Sequence, residues 1–149
     1  IIGSSDGVTF VDDYAHLPRE ISAVMAAAKT SDDSWGRVVA VFQPNRYNRM
    51  AVMSDEYSMA FVDADVVVIT DIYASGTQKI EGVTGQLVVD AITRAQANSQ
   101  VHWHEERSSL AEFVNQLLRP GDVCISMGCG DIESLPRELI DVRSGVMRP

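Results

Sequence analysis

A chain of 149 residues, 46% apolar and 22% charged, has the balance of one compact domain with a core large enough to fold without disulfides or metal. Its net charge of −9 repels nucleic acid and anionic membranes, so any anionic ligand must be held by a local cluster of cations. No apolar run approaches the roughly 20 residues of a membrane span, so a soluble protein without membrane insertion is expected. The opening Ile1-Ile2-Gly3-Ser4 has neither an initiator Met nor a secretion signal and reads as a piece of something longer. The two cysteines, Cys124 and Cys129, fit no zinc or redox spacing and suit a reducing, cytoplasmic setting.

Along the chain, Val8-Thr9-Phe10-Val11 is a β-rich run ending in Asp12-Asp13, and Pro18 opens an alanine-rich helix to about Lys29. Arg37 to Phe42 is almost wholly apolar and stops at Gln43-Pro44, as a strand buried on both faces does, with a helix expected from about Met50 to Val62. Asp65 to Asp71 repeats the strand pattern. A long polar loop containing Gly76, Gly82 and Gly85 then leads to a helix from about Gln86 to Ala97, and its length marks it as a candidate functional loop. A weaker strand, Gln100 to His104, precedes a helix over Leu110 to Leu118 and a last buried strand, Asp122 to Met127. A final helix is expected from near Asp131 to Ile140 with Pro136 as a kink or break, followed by a frayed tail from Arg143 to Pro149. The alternation predicts one α/β domain, Rossmann-like, with a mostly parallel sheet covered by helices on both faces and ligands bound beyond the carboxyl ends of the strands.

Those ends collect the polar residues of interest: Asp12, Asp13, Tyr14 and His16 after the first strand, Asn45, Arg46 and Arg49 after the second, and Asp71 and Tyr73 after the third. A carboxylate there can accept ribose hydroxyls, a histidine can donate to a phosphate, and arginines can fork onto carboxylate or phosphate oxygens. Singly, each has an ordinary structural reading as a turn, a cap or a core partner. Gly128-Cys129-Gly130-Asp131 turns from the last strand into a helix, where backbone N–H groups can meet a phosphate or where Asp131 can simply cap. His102 and His104 share a strand face beside Glu105 and Glu106, but no third metal ligand is clearly placed, and no metal site is assigned. The only lysines, Lys29 and Lys79, follow no glycine-rich phosphate loop, so the chain carries no P-loop ATP site of its own.

Asp12-Asp13-Tyr14-Ala15-His16-Leu17-Pro18-Arg19-Glu20 resembles the DDY[GA]HHPTE motif that opens the C-terminal domain of the UDP-N-acetylmuramate:L-alanine ligases, a branch of the Mur ligase superfamily. Phe42-Gln43-Pro44-Asn45-Arg46-Tyr47-Asn48-Arg49 is similar to that family's FQPHRYTR, and Met127-Gly128-Cys129-Gly130-Asp131-Ile132 to its MGAGDI, in family order. The resemblance implies the third domain of a three-domain ligase whose absent N-terminal and central domains hold the UDP-sugar and, through the P-loop, most of the ATP and Mg²⁺. Its substrates would be UDP-N-acetylmuramate and L-alanine, joined through an acyl phosphate in peptidoglycan precursor synthesis, and its partners its own upstream domains. It also implies roles: Asp13 and His16 at the nucleotide, with His16 catalytic, and Tyr14, Asn45, Arg46 and Arg49 at the substrate. Leu17, Arg19 and Asn45 depart from the motifs, where the family has His, Thr and His. A murein tripeptide recycling ligase and a non-catalytic nucleotide-binding module are the alternatives, the first differing in its amino-acid substrate and the second binding ATP without turnover.

Overall fold

The computed structural model describes residues 1–31 and 35–145. Six strands form one sheet: β1 Gly3–Ser5, β2 Val8–Asp13, β3 Arg37–Phe42, β4 Val66–Ile69, β5 Val101–Trp103 and β6 Asp122–Met127. They lie in the order β1-β2-β6-β3-β4-β5, parallel except for β1 against β2. The helices are α1 Pro18–Lys29, α2 Tyr47–Met53, α3 Gln86–Ala95, α4 Leu110–Leu117 and α5 Leu135–Arg143.

Successive residues of a strand face opposite ways, and the core divides accordingly. Ala40, Phe42, Val67, Ile69 and Ile125 meet Ile21 and Met25 of α1, Met50 of α2 and Val88 and Ile92 of α3. Phe10, Val41, Val68 and Cys124 meet Leu110 and Val114 of α4 and Leu135 and Leu139 of α5 on the other side. The all-apolar runs are therefore strands covered twice, each large side chain contributing about 1.5–3 kcal/mol by burial. The expected α/β architecture with helices on both faces is observed.

The foot of the sheet is locked by charge. Arg37 forks onto Asp122 at 2.9 and 2.8 Å and reaches the Leu117 carbonyl at 2.9 Å, while Asp122 also accepts the Arg119 N–H at 2.7 Å. This lock sets the starting register of β3 against β6, where Arg37 pairs with Asp122.

Several sequence expectations are corrected. The helix expected over Met50 to Val62 begins at Tyr47 and gives way to a 3-10 turn, Ser54–Tyr57, where the Ser54 hydroxyl donates back to the Met50 carbonyl. The last helix begins as a 3-10 turn, Asp131–Ser134, and becomes α5 at Leu135; Pro136 lies in its first turn, where its missing N–H has no intrahelical partner to lose, so it starts the helix and does not kink it. Arg143 is not frayed: it ends α5 and bonds the Asn115 side chain at 2.8 Å and the Ser5 carbonyl at 3.3 Å. The rest of the expected tail, residues 146–149, lies outside the described residues. Strand β1 was not anticipated. Its hairpin turns at Asp6-Gly7, whose φ values of 49° and 81° are the two positive angles that a two-residue hairpin favours.

Candidate functional site

The connections place a crevice at the carboxyl ends of β2, β6 and β3. Strands β2 and β3 are followed by helices on one face, α1 and α2, whereas β6 between them is followed by α5 on the other. Diverging loops of this kind leave a gap at the strand ends, the usual ligand position in an open α/β sheet.

Asp12 and Asp13 are the last residues of β2, and their carboxylates have different surroundings. Asp12 accepts the Ser126 hydroxyl at 2.8 Å; burial raises its pKa, the Ser126 bond opposes this, and the neighbouring Glu133 and Asp13 charges add to the rise. Asp13 spends Oδ1 on the Ala15 N–H at 2.9 Å, an Asx turn that reverses the chain, and has no described partner at Oδ2. Tyr14 stands 70% exposed, edge-on to His16 at 5.4 Å. The His16 Nδ1 lies 3.1 Å from the Tyr14 carbonyl; a carbonyl only accepts, so Nδ1 carries the hydrogen and Nε2 is left over.

Leu17 precedes α1 and has no side-chain acceptor to cap it. Glu20 does the work alone, its Oε1 accepting the Leu17 N–H at 3.0 Å and the His16 N–H at 3.2 Å. These two bonds, that of Leu17 first, lower the Glu20 pKa.

Beyond β3, Asn45 forms an isolated parallel bridge with Tyr73. The Tyr73 N–H donates to the Pro44 carbonyl at 2.8 Å and the Arg46 N–H to the Tyr73 carbonyl at 2.9 Å. Held this way, Arg46 adopts φ 68°, a conformation that its Cβ makes costly, and its exposed guanidinium makes no bond to the described residues. Asn45 is only 3% exposed, and its Oδ1 accepts from the Arg49 Nη1 at 2.9 Å. The sequence expectation placed Asn45 against substrate; its observed side-chain contact is with Arg49.

The third strand end is committed to structure. Asp71 Oδ1 accepts the Ile72 N–H at 2.8 Å and the Gly85 N–H at 3.0 Å, tying the long loop to the start of α3. Thr77 from that loop accepts the Tyr47 N–H at 3.1 Å and so caps α2 from 30 residues away.

Two residues that the sequence reading passed over knit these segments together. Gln43, buried, donates from Nε2 to Asp131 at 2.7 Å and accepts the Ile132 N–H at 3.3 Å. Arg107 bonds Asp131 at 3.2 Å and forks onto Glu138 at 3.1 and 2.7 Å. Burial works against the Arg107 charge, but Glu138 and then Asp131 outweigh it and its pKa is raised. Asp131 is thus shared between the residue that follows β3 and the β5–α4 loop, and the Gly130 backbone is so close to Tyr73 that a Cβ there would come within 2.5 Å of the ring. Only Gln43's place inside a motif hinted at this; Arg107 left no signal.

Elsewhere, His104 stacks on Phe113 at 4.5 Å and reaches the Ser109 hydroxyl at 2.8 Å, while His102 meets the same ring edge-on. Among the described residues no group of three or more His, Cys, Asp or Glu is placed to hold a metal ion, and no helix is long and apolar enough to cross a membrane.

The rim defines an α/β domain that presents carboxylates, an imidazole nitrogen and two arginines from the ends of parallel strands. The chain belongs to the Mur ligase, glutamate ligase domain family, which matches residues 1–130. It is 45% identical over 140 residues to a UDP-N-acetylmuramate–L-alanine ligase of Gloeothece citriformis, a match covering 93% of this chain and 28% of that protein. Among solved structures it is similar to the UDP-N-acetylmuramate-alanine ligase of Thermotoga maritima, with TM-score 0.74 and 23% identity over 95% of this chain and 28% of that one. A murein peptide ligase of Psychrobacter arcticus gives TM-score 0.73 and 17% identity over 97% of this chain and 29% of that one. At these identities the structures speak for the fold alone. The chain spans less than a third of the length of curated L-alanine ligases that it matches.

Proposed function

We propose that this chain is the C-terminal domain of a cytoplasmic, ATP-dependent ligase that joins L-alanine to UDP-N-acetylmuramate in peptidoglycan precursor synthesis. What carries the reading is the identity to L-alanine ligases along almost the whole chain, spanning all the segments that meet at the rim.

In this reading ATP phosphorylates the muramate carboxylate with release of ADP. The alanine amine then attacks the acyl carbon, the C–N bond forms, the C–O bond to phosphate breaks and the amine loses a proton. Arg46 and Arg49 hold the alanine carboxylate by charge-assisted bonds and aim its amine, with Asn45 orienting Arg49. Asp13 offers Oδ2 to the nucleotide ribose. The His16 Nε2, together with Tyr14, faces the phosphate and the incoming amine, and His16 is the catalytic candidate of this domain.

Among its described residues no group of three or more His, Cys, Asp or Glu is placed to hold a metal ion. Mg²⁺ and the nucleotide phosphates belong mainly to the upstream domains, and closure of this domain over them completes the site and excludes water from the acyl phosphate. The open rim and the uncommitted Arg46 guanidinium support that arrangement.

ADP release by the complete enzyme with Mg-ATP and UDP-N-acetylmuramate tests the reading. Turnover that depends on L-alanine supports it, turnover that depends on murein tripeptide moves the protein to the recycling ligases, and none with either leaves a domain without the chemistry.

A further inference from the structure

Tyr57 sits under the rim although no motif marked it. The side chain is fully buried and its ring lies 5.3 Å from that of Phe42, the last residue of β3. A phenylalanine would fill the same space. What the hydroxyl adds is a 2.6 Å bond donated to the His16 carbonyl, 41 residues away, in a segment that belongs to no helix or strand. Burial raises the Tyr57 pKa, with Arg49 pulling the other way, so the hydroxyl keeps its proton and remains a donor.

His16 is thereby held from three directions. Its N–H goes to Glu20 of α1, its ring Nδ1 to the Tyr14 carbonyl, and its own carbonyl receives Tyr57. Nε2 is its one polar atom without a partner among the described residues. The 3-10 turn that carries Tyr57 directly continues α2, which carries Arg49. The hydroxyl therefore ties the loop bearing the imidazole to the helix bearing the guanidinium.

We infer that Tyr57 is a positioning residue that fixes His16 relative to Arg49, presenting Nε2 in one orientation; the inference rests on reading His16 as a site residue. The test is Tyr57→Phe in this chain, with Tyr47→Phe as a control that removes another buried tyrosine's hydroxyl, from the first turn of α2, with no bond to His16. Amide exchange at His16 and Leu17 is expected to quicken about fivefold to tenfold in Tyr57→Phe, the equivalent of one lost hydrogen bond. The imidazole ¹⁵N shifts of His16 are expected to move from a pure Nδ1–H tautomer toward a mixture, while β3 and β6 amides and the control stay as in the parent. Unchanged His16 signals, or acceleration spread equally through the core, overturns the inference. In the complete enzyme, turnover unaffected by His16→Ala would instead remove the catalytic reading of His16 and leave the ¹⁵N result standing.

Discussion

Replacing Gln43 by leucine isolates the bond system that joins β3 to the turn after β6. The swap keeps volume and apolar packing but removes a donor to a carboxylate at 2.7 Å and the acceptor of the buried Ile132 N–H. Asp131 keeps Arg107 at 3.2 Å, so its charge is not orphaned and that loss stands near the low end for a bond to a charged group, about 1.5 kcal/mol. The stranded Ile132 N–H costs about 1–3 kcal/mol more. The expected total is about 3 kcal/mol, read as a lower urea midpoint at unchanged m, or as a Tm lower by about 6–12 °C for a domain of this size. A companion Gln43→Glu keeps the acceptor but sets a second carboxylate against Asp131, so the pair holds a proton more tightly when folded. The folded state then binds more protons than the unfolded one, stability falls as pH rises from the ordinary carboxylate pKa of about 4, and the deficit shrinks on acidification. A Gln43→Leu deficit below about 1 kcal/mol, or a Gln43→Glu deficit indifferent to pH, would refute the reasoning.

Arg49→Ala in the complete enzyme is expected to raise the KM for the amino acid about 10- to 150-fold by removing a charge-assisted bond of about 1.5–3 kcal/mol, with kcat less affected; steady-state kinetics decide, and an unchanged KM refutes the assignment. Gly85→Ala would push a Cβ to 2.4 Å from the Thr70 carbonyl oxygen and 2.8 Å from Trp103, whereas Gly82→Ala meets only its φ of 79°. The first should cost about 3 kcal/mol and the second about 1–2 kcal/mol in urea unfolding. Because burial raises the Asp12 pKa, its carboxylate lowers stability progressively as pH rises above the ordinary value of 3.8, so Asp12→Asn, still able to accept from Ser126, should be the more stable protein at pH 7 and lose its advantage below pH 3.8. Iodoacetamide at neutral pH should modify the partly exposed Cys129 and spare Cys124, whose thiol burial pushes up to about 12; mass spectrometry of the labelled peptides checks this.

The core was legible because it is built from contiguous apolar runs: Val38 to Phe42, Val66 to Ile69 and Val123 to Ile125 could only be strands covered on both faces. The rim residues followed from where those runs stop. What escaped was structure fixed across distance. Tyr47 starts α2 because Thr77 caps it, and Gln43, Tyr57 and Arg107 matter through partners 24 to 89 residues away. Strand β1 escaped because Gly-Ser-Ser has no alternating pattern; its cue was the Asp6-Gly7 pair, which alone specifies a turn and not what precedes it.

On the proposed reading of Arg46 as a substrate residue, its backbone sets folding and chemistry against each other at a single codon. A glycine there would relieve a Cβ held at positive φ, so a library selected for thermal survival alone should drift away from arginine at this position. A library selected for growth through the ligase reaction should keep it. Enrichment at position 46 under the two selections therefore measures, in one number, how much conformational comfort this domain gives up to hold a guanidinium at the mouth of its crevice.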